Sequence, residues 1–228
     1  MCLGKNLAHT KNEEYKVKVE KSPELSYIMT NLVVGDGGVY CYNTKDKTSK
    51  DGVRVRYLVQ LTSVDREYVE NFNRHICTIL EKKRIATIGI KKVSLKHPTW
   101  HDLYRVYIYC KKEFYDWVKG CSKEFLAELW REYPHQFLQS WFDSDGTVYQ
   151  TNGRVTLELS NSKKEWLEFA QNLLKEQFGI EIGLYFNQHL FSGKMQWQLQ
   201  TAKRETIQLF NKQIGFGIIR KQEVLKRI

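Results

Sequence analysis

The chain has 228 residues, of which 42% are hydrophobic and 27% are charged. These values are typical of a globular protein with one large domain or two small ones, and they exclude a wholly disordered or collagen-like chain. No apolar run reaches the ~18 residues of a membrane span, so no membrane partner is expected. The 36 basic and 26 acidic residues give a net charge of +10, which favours a polyanion such as nucleic acid as the partner.

The polar start of the chain and its cysteines indicate an intracellular, cytoplasmic protein. The first 21 residues lack the apolar stretch of a signal peptide. The five cysteines are an odd number and show no C-x-x-C spacing, which favours free thiols over a disulfide framework or a zinc site.

A first helix is predicted after residues 1–21, which form an N-terminal arm or an extra helix. Ser22, Pro23 and Glu24 supply a capping serine, a proline at the first helical position and an acid in the first turn. The apolar residues 25–34 continue the helix, which is expected to end at Asp36-Gly37, because glycine lets the backbone leave a helix.

A hairpin is predicted next, because residues 53–62 alternate with period two. The packed face is expected to carry Val53, Val55, Tyr57, Val59 and Leu61. The lysine-rich tip of the hairpin comprises residues 44–52, and its segment from Lys45 to Lys50 suits contacts with phosphate. A helix over residues 65–83 then leads to two strands, near residues 88–90 and 105–110.

The second half of the chain repeats this order. The sequence DGGVY begins at Asp36 and DGTVY begins at Asp145, 109 residues later. Pro134 opens the second apolar helix as Pro23 opens the first. Each half reads α-β-β-α-β-β-α, so we predict a duplicated α+β protein. Its halves are residues 22–120 and 134–228, and residues 121–133 form a linking helix.

The two Asp-Gly motifs point to a metal site. A carboxylate at a helix C-terminus meets the partial negative charge of the helix dipole, and a bound cation relieves that conflict. If the two helices pack side by side, Asp36 and Asp145 meet at one end, where two carboxylates repel each other without a metal or protons. Oxygen ligands of this kind suit Mg²⁺, and paired metals promote in-line phosphodiester cleavage.

Residues 137–146, FLQSWFDSDG, resemble the LAGLIDADG motif of homing endonucleases, and residues 29–37, MTNLVVGDG, resemble a more divergent copy. The chain is most similar to the two-motif, single-chain archaeal members, which are intron-encoded and act in intron homing. The resemblance implies a pseudo-twofold saddle. Its motif helices form the central pair, and its two four-stranded antiparallel sheets face the DNA major groove.

The resemblance also implies the residues of the active site. Asp36 and Asp145 are the expected metal ligands, together with the carbonyl oxygens of Gly35 and Ser144, and two or more Mg²⁺ ions are expected. Lys112 and Lys203 are expected to stabilise transition-state charge, because an alignment of Cys110 with Thr201 makes them equivalent. Ser63 and Asn161 are candidates for holding a water network.

The polar strand faces are expected to bind DNA, since Arg pairs with guanine, and Asn or Gln with adenine, through paired hydrogen bonds. The candidates are Arg54, Arg56, Gln60, Thr62, Lys91, Arg105, Tyr107, Arg154, Thr156, Glu158, Tyr185, Asn187, Gln196, Gln198 and Gln200. The halves are expected to read different half-sites, with Gln60 equivalent to Glu158, Lys91 to Tyr185, Arg105 to Gln196 and Tyr107 to Gln198.

These features lead to the prediction of a monomeric, metal-dependent endonuclease that cuts both strands of a long asymmetric DNA site. Two alternatives on the same fold stay open. One is a maturase that binds intron RNA and promotes splicing, and the other is a non-catalytic DNA-binding regulator. The presence of both Asp36 and Asp145 argues against the regulator, because binding alone does not need them.

Overall fold

The computed structural model describes residues 20–45, 52–92, 101–188 and 195–227. The predicted N-terminal arm lies outside the described residues except at its end, as does most of the lysine-rich tip, residues 46–51.

The described residues form two runs of seven elements in the predicted order, with one helix between the runs and one after them. The elements are α1 (Pro23–Val33), β1 (Gly38–Lys45), β2 (Val53–Ser63), α2 (Arg66–Ile79), β3 (Gly89–Lys91), β4 (Leu103–Cys110), α3 (Lys112–Gly120), α4 (Lys123–Glu132), α5 (Pro134–Asp145), β5 (Gly146–Thr151), β6 (Arg154–Asn161), α6 (Lys164–Phe178), β7 (Gly183–Gln188), β8 (Met195–Thr201), α7 (Arg204–Gln213) and α8 (Ile219–Leu225).

Each half contains one four-stranded antiparallel sheet. The strand orders are β1-β2-β4-β3 and β5-β6-β8-β7, so the two sheets share one topology. Helix α2 packs on β2 and β4 in the first half, and α6 packs on β7 and β8 in the second. The predicted α+β fold and its duplication are therefore confirmed.

Helices α1 and α5 pack against each other in the centre of the molecule. Ser22 caps α1 as predicted, because its Oγ accepts a hydrogen bond from the amide of Leu25 at 3.1 Å. Small and polar side chains line the contact between the two helices. Buried Asn31 donates from Nδ2 to Ser140 Oγ at 2.6 Å and to the carbonyl of Tyr27 at 2.9 Å. Because these groups satisfy one another, the two backbones can approach closely without losing hydrogen bonds.

The expectation that both motif helices end at Asp-Gly holds for α5 only. Helix α5 ends at Asp145, whereas α1 ends at Val33. The amides of Val34 and Gly35 both donate to the carbonyl of Thr30 at 3.0 Å, which closes the helix early. Asp36 therefore lies in the turn after α1.

The predicted packed face of β2 is only partly buried. Val53 and Val55 are nearly half exposed, because they lie at the start of the strand, beside the hairpin tip and away from the core. Leu58, on the opposite face, is only 8% exposed, since it pairs with Tyr40 on one side and Tyr109 on the other.

The predicted alignment of Cys110 with Thr201 is wrong by two residues. Val59 pairs with Ile108, and its counterpart Leu157, 98 residues later, pairs with Thr201. Ile108 is therefore the equivalent of Thr201. The shift arises because no motif anchors this part of the sequence and the connections before β4 and β8 differ in length.

The corrected register changes three of the predicted equivalences between the halves. Arg105 corresponds to Gln198 and Tyr107 to Gln200, while Lys91 corresponds to Asn187 rather than Tyr185. The predicted equivalence of Gln60 and Glu158 is confirmed, because Gln60 pairs with Gly38 and Glu158 with Thr147, which lie 109 residues apart.

We expect Gly146→Ala to destabilise the protein, because an added Cβ would lie 2.4 Å from the carbonyl oxygen of Phe142 and 2.7 Å from its Cα. The backbone would have to shift, at a cost of about 1–3 kcal/mol of unfolding free energy. Gly120→Ala is the matched control, since a Cβ there meets nothing within 4 Å. Urea unfolding of both variants tests this, and equal midpoints for the two would contradict it.

Candidate active site at the ends of the central helices

The ends of the two motifs touch through one small residue from each. Gly35 and Ser144 occupy equivalent positions, and a Cβ on Gly35 would lie 2.8 Å from Ser144 Oγ. The amide of Asp36 donates to that same oxygen at 2.9 Å. Because Ser144 directly precedes Asp145, this contact brings the two motif carboxylates to one place, as the sequence predicts.

The carboxylate of Asp145 is held by three hydrogen bonds. Its Oδ2 accepts from Trp141 Nε1 at 3.1 Å and from Asn161 Nδ2 at 2.9 Å, and its Oδ1 accepts from Ser144 Oγ at 3.1 Å. These donors come from α5 and from the end of β6, so two elements fix the orientation of one carboxylate. Asn161, a candidate for the water network, thus lies in the site.

The pKa values of both carboxyl groups are raised, chiefly because burial disfavours the ionised form. For Asp145, the hydrogen bond from Asn161 opposes this rise in pKa, and the charge of Asp36 adds to it. For Asp36, the Ser144 hydroxyl and the Lys221 charge lower the pKa in part. Because burial raises the pKa of both acids and the charge of Asp36 adds to the rise for Asp145, a bound cation would stabilise both in their ionised form.

The donor set fits a hard divalent cation such as Mg²⁺. The described part of the chain contains no cluster of three or more His, Cys, Asp or Glu side chains. A cation here would therefore take two protein carboxylates and complete its shell with other oxygens, as Mg²⁺ does. The carbonyl oxygens of Gly35 and Ser144 remain predicted ligands.

A lysine binds the end of each motif helix. Val33 and Phe142 are equivalent residues, 109 positions apart. The carbonyl of Val33 accepts a hydrogen bond from Lys163 Nζ at 2.7 Å, and that of Phe142 accepts one from Lys221 Nζ at 3.1 Å. Both ammonium groups therefore lie where the helix dipole favours a cation.

The two lysines come from different places in the repeat. Lys163 follows β6, and the equivalent residue after β2, 98 positions earlier, is Asp65. Asp65 instead forms a paired salt bridge with Arg220, at 2.5 and 2.7 Å. Lys221 is the residue after Arg220 and lies on the C-terminal helix α8. This helix therefore provides the lysine at the end of α5, because the first half has no lysine at position 65.

Asp143 fastens this C-terminal segment to α5. Its carboxylate accepts hydrogen bonds from the amides of Gly217 at 2.9 Å and Ile218 at 3.3 Å. Lys221 Nζ also donates to the Asp143 carbonyl at 2.6 Å. Burial raises the pKa of Asp143 to about 7 and lowers the pKa of Lys221 to about 8.

The structure does not bring Lys112 and Lys203 to the carboxylates. Lys112 bonds Asp116 within α3, and Lys203 is exposed at the start of α7. Lys163 and Lys221 occupy the site instead. The one sequence feature that could have indicated Lys163 is its position two residues after the candidate Asn161. No sequence feature indicated Lys221, because helix α8 was not predicted.

The predicted DNA-binding residues share the outer faces of the two sheets, turned away from the helices that cover the core. The register places Arg54, Arg56, Gln60, Thr62, Lys91, Arg105 and Tyr107 on one face of the first sheet, and Arg154, Thr156, Glu158, Tyr185, Asn187, Gln196, Gln198 and Gln200 on one face of the second. Glu158 Oε1 accepts hydrogen bonds from Gln198 Nε2 and Ser160 Oγ, both at 2.8 Å, so these side chains form one polar network.

Comparison with known proteins agrees with this architecture. Residues 132–215 match the LAGLIDADG-like domain family. A variant of the homing endonuclease I-DmoI superposes with a TM-score of 0.59 over 92% of this chain and 100% of its own, at 19% sequence identity. The second half of the chain therefore carries a LAGLIDADG-like domain. The matched residues include α5 and the Asp145-Gly146 motif described above.

Two further solved structures are similar to the chain. The homing endonuclease I-WcaI, bound to its DNA recognition sequence, gives a TM-score of 0.55 at 19% identity, covering 90% of this chain and 87% of its own. WhiA from Thermatoga maritima gives 0.52 at 17% identity, covering 90% and 60%. These likenesses establish the fold.

Two sequence relatives are also similar over most of the chain. The uncharacterized protein MJ0398 of Methanocaldococcus jannaschii is 26% identical over 98% of this chain and 78% of its own length. The probable translation initiation factor IF-2 of Thermococcus kodakarensis is 24% identical over 92% of this chain, which spans 16% of that protein. Every helix within residues 20–45, 52–92, 101–188 and 195–227 is too short or too polar to cross a lipid bilayer.

We expect Asp36→Asn and Asp145→Asn each to raise the melting temperature at pH 8. The folded-state pKa of each carboxyl group is raised, so its stabilising contribution is lost as the pH rises through that value. An asparagine avoids the burial of charge. Below about pH 4 the wild-type groups are protonated and the gain should vanish.

Thermal unfolding at pH 4 and pH 8 measures this effect. Asp116→Asn is the control, because Asp116 is an exposed carboxylate paired with Lys112 on α3. A lower melting temperature at pH 8 for both motif variants would show that the carboxylates stabilise the fold in their ionised form.

Proposed function

We propose that the protein is a site-specific DNA endonuclease that hydrolyses both strands of a long, asymmetric target with the help of divalent metal ions. The observation that carries the proposal is the meeting of Asp36 and Asp145 through Ser144, at the ends of two equivalent helices. Two equivalent carboxylate sites in one chain match the two strands of a duplex. I-DmoI, which shares the fold, was solved in complex with DNA and Mn.

Each group in the site has a defined task in this proposal. Two or more Mg²⁺ ions held by Asp36 and Asp145 would activate water and neutralise the leaving oxygen. Asn161 and Trp141 orient the Asp145 carboxylate, because both donate to its Oδ2. Lys163 and Lys221 hold the helix ends and place positive charge near the phosphates to be cut.

The rest of the chain supports a DNA partner. The net charge of +10 favours contact with phosphate, and the two outer sheet faces offer side chains that bond base edges. Because the duplication supplies both halves of the site within one chain, a monomer is sufficient. An intracellular, intron-encoded protein that acts in intron homing fits this activity.

Removing either motif carboxylate should abolish double-strand cleavage and leave DNA affinity nearly unchanged. We expect Asp36→Asn and Asp145→Asn to slow single-turnover cleavage by ~10²-fold or more, because each removes the charge that holds the metal. The target is first selected from a random duplex library with Mg²⁺ present. Asp116→Asn should cut at the wild-type rate. Near-normal cutting by either motif variant would show that the active site lies elsewhere.

Moving a lysine between the halves tests the role of Lys221. Lys221→Met keeps the length of the side chain but removes the ammonium group from the carbonyls of Phe142 and Asp143. We expect it to slow cleavage of one strand by ~10²-fold, because small misplacements of catalytic groups lower rates by that order. Nicked DNA should therefore accumulate. Lys163→Met should slow cleavage of the other strand.

Adding Asp65→Lys to Lys221→Met should restore much of the lost rate, because residue 65 is the equivalent of Lys163. Strand-specific rates on a doubly end-labelled duplex measure this. If Lys221→Met slows cleavage of both strands equally and Asp65→Lys restores neither rate, Lys221 stabilises the fold and has no strand-specific role in cleavage.

A further inference from the structure

Four tyrosines cover the outer face of the first sheet, and we call them the tyrosine surface: Tyr40 and Tyr42 on β1 and Tyr107 and Tyr109 on β4. They are 49%, 37%, 52% and 43% exposed. They lie on the two strands that flank β2, on the same face as the predicted DNA-binding residues. Large exposed apolar groups gathered in this way mark an interaction site.

The register makes these rings one continuous surface. Leu58 on β2 pairs with Tyr40 on one side and Tyr109 on the other, and the rings leave it 8% exposed. The hydroxyls of Tyr42 and Tyr109 bond each other at 2.9 Å, and the Arg56 guanidinium lies 5.2 Å from the centre of the Tyr109 ring. Two of the hydroxyls are therefore engaged within the surface, while the rings remain open to a partner.

The second sheet keeps one ring and offers different chemistry at the other equivalent positions. In the corrected register, Tyr40 corresponds to Tyr149, which is 38% exposed. Tyr42, Leu58 and Tyr107 correspond to Thr151, Thr156 and Gln200. Glu158 and Gln198 add the polar network there. At three equivalent positions the first sheet thus presents rings or an aliphatic side chain where the second presents hydroxyl or amide groups, although Tyr149 and Tyr185 are exposed on the second face.

We propose that the tyrosine surface recognises the C5-methyl groups of thymines in the half-site bound by the first half. The inference rests on the proposed function, and it names the feature of DNA that one sheet reads. In the major groove, the thymine methyl is the apolar group on a base edge, whereas the other base positions offer hydrogen-bond donors and acceptors. A ring placed against a polar base edge would leave that edge unsatisfied.

In this inference the occupant is double-stranded DNA. The tyrosine surface is continuous with Arg56, Gln60 and Arg105 on the same face, which suit phosphates and base edges. Recognition of a methyl group would also distinguish DNA from RNA, because RNA carries uracil. The outer face of the second sheet has fewer exposed rings, Tyr149 and Tyr185, so binding there should depend less on methyl groups.

Replacing thymine by deoxyuridine tests this directly, because it removes only the methyl group. The duplex bound most tightly by the wild-type protein is selected from a random library, with Ca²⁺ in place of Mg²⁺ to avoid cleavage. Four versions are then compared: unmodified, substituted in either half-site, and substituted in both. We expect substitution in the first half-site to weaken binding by ~4-fold for each contacted methyl, and substitution in the second to weaken it less.

Variants at Tyr107 provide the matched controls. Tyr107→Ala should remove part of the deoxyuridine penalty and change base preference in one half-site only, which identifies the half-site bound by the first half. Tyr107→Phe should keep the penalty, because the ring remains. Loss of affinity in Tyr107→Phe, with no effect of deoxyuridine, would mean that the hydroxyl reads the base and would overturn the inference.

The failure of the inference and the failure of the proposed function look different. If the protein selects no duplex, or binds single-stranded RNA in preference, both fail. If it binds a selected duplex with the same affinity whether the first half-site contains thymine or deoxyuridine, only the inference fails. A penalty of equal size in both half-sites would also overturn it.

Discussion

The close approach of Gly35 to Ser144 is the constraint on which the rest of the structure depends. A Cβ at Gly35 would lie 2.8 Å from Ser144 Oγ, so the two motifs touch only because one residue has no side chain and the other a small one. That contact sets the positions of the residues that follow, Asp36 and Asp145. The charge of Asp36 adds to the cost of ionising the buried Asp145, and the hydrogen bond from Asn161 offsets part of that cost. The charge of Lys221 lowers the corresponding cost for Asp36.

The two halves share the same order of elements and strand topology, but they carry different side chains at equivalent positions. Both motif helices end with a lysine on equivalent carbonyls, yet Lys163 lies after β6 and Lys221 lies on the C-terminal helix. Asp65 occupies the place of the missing lysine and binds Arg220 instead, which fixes the neighbouring Lys221. The two ends of the site therefore depend on different parts of the chain. The same asymmetry extends to the outer faces of the sheets, since the first carries four exposed tyrosines and the second more amide side chains, which suits a DNA target without twofold symmetry.

Features set by local sequence were predictable, and features set by packing between distant elements were not. The Ser22 cap, the two Asp-Gly motifs and the alternation of β2 each need only a few neighbouring residues, so the order of elements follows from them. The register of β4 and β8 depends on strand pairing across a sheet, and no motif fixed it. Lys221 was missed because its role comes from a contact with α5, nearly eighty residues earlier in the chain. The exposure of Val53 depends likewise on where the helices stop covering the sheet.

A crystal structure of the protein bound to its selected DNA, with Mn²⁺ as an anomalous scatterer, tests the central claim most directly. If the ends of the two motif helices form an oxygen site for divalent cations, anomalous peaks will lie between Asp36 and Asp145. Oxygen atoms of both carboxylates should then be ~2.1 Å from the metal, a distance typical of small octahedral cations. Peaks absent from this position, or held by other side chains while the DNA is bound, would contradict the account.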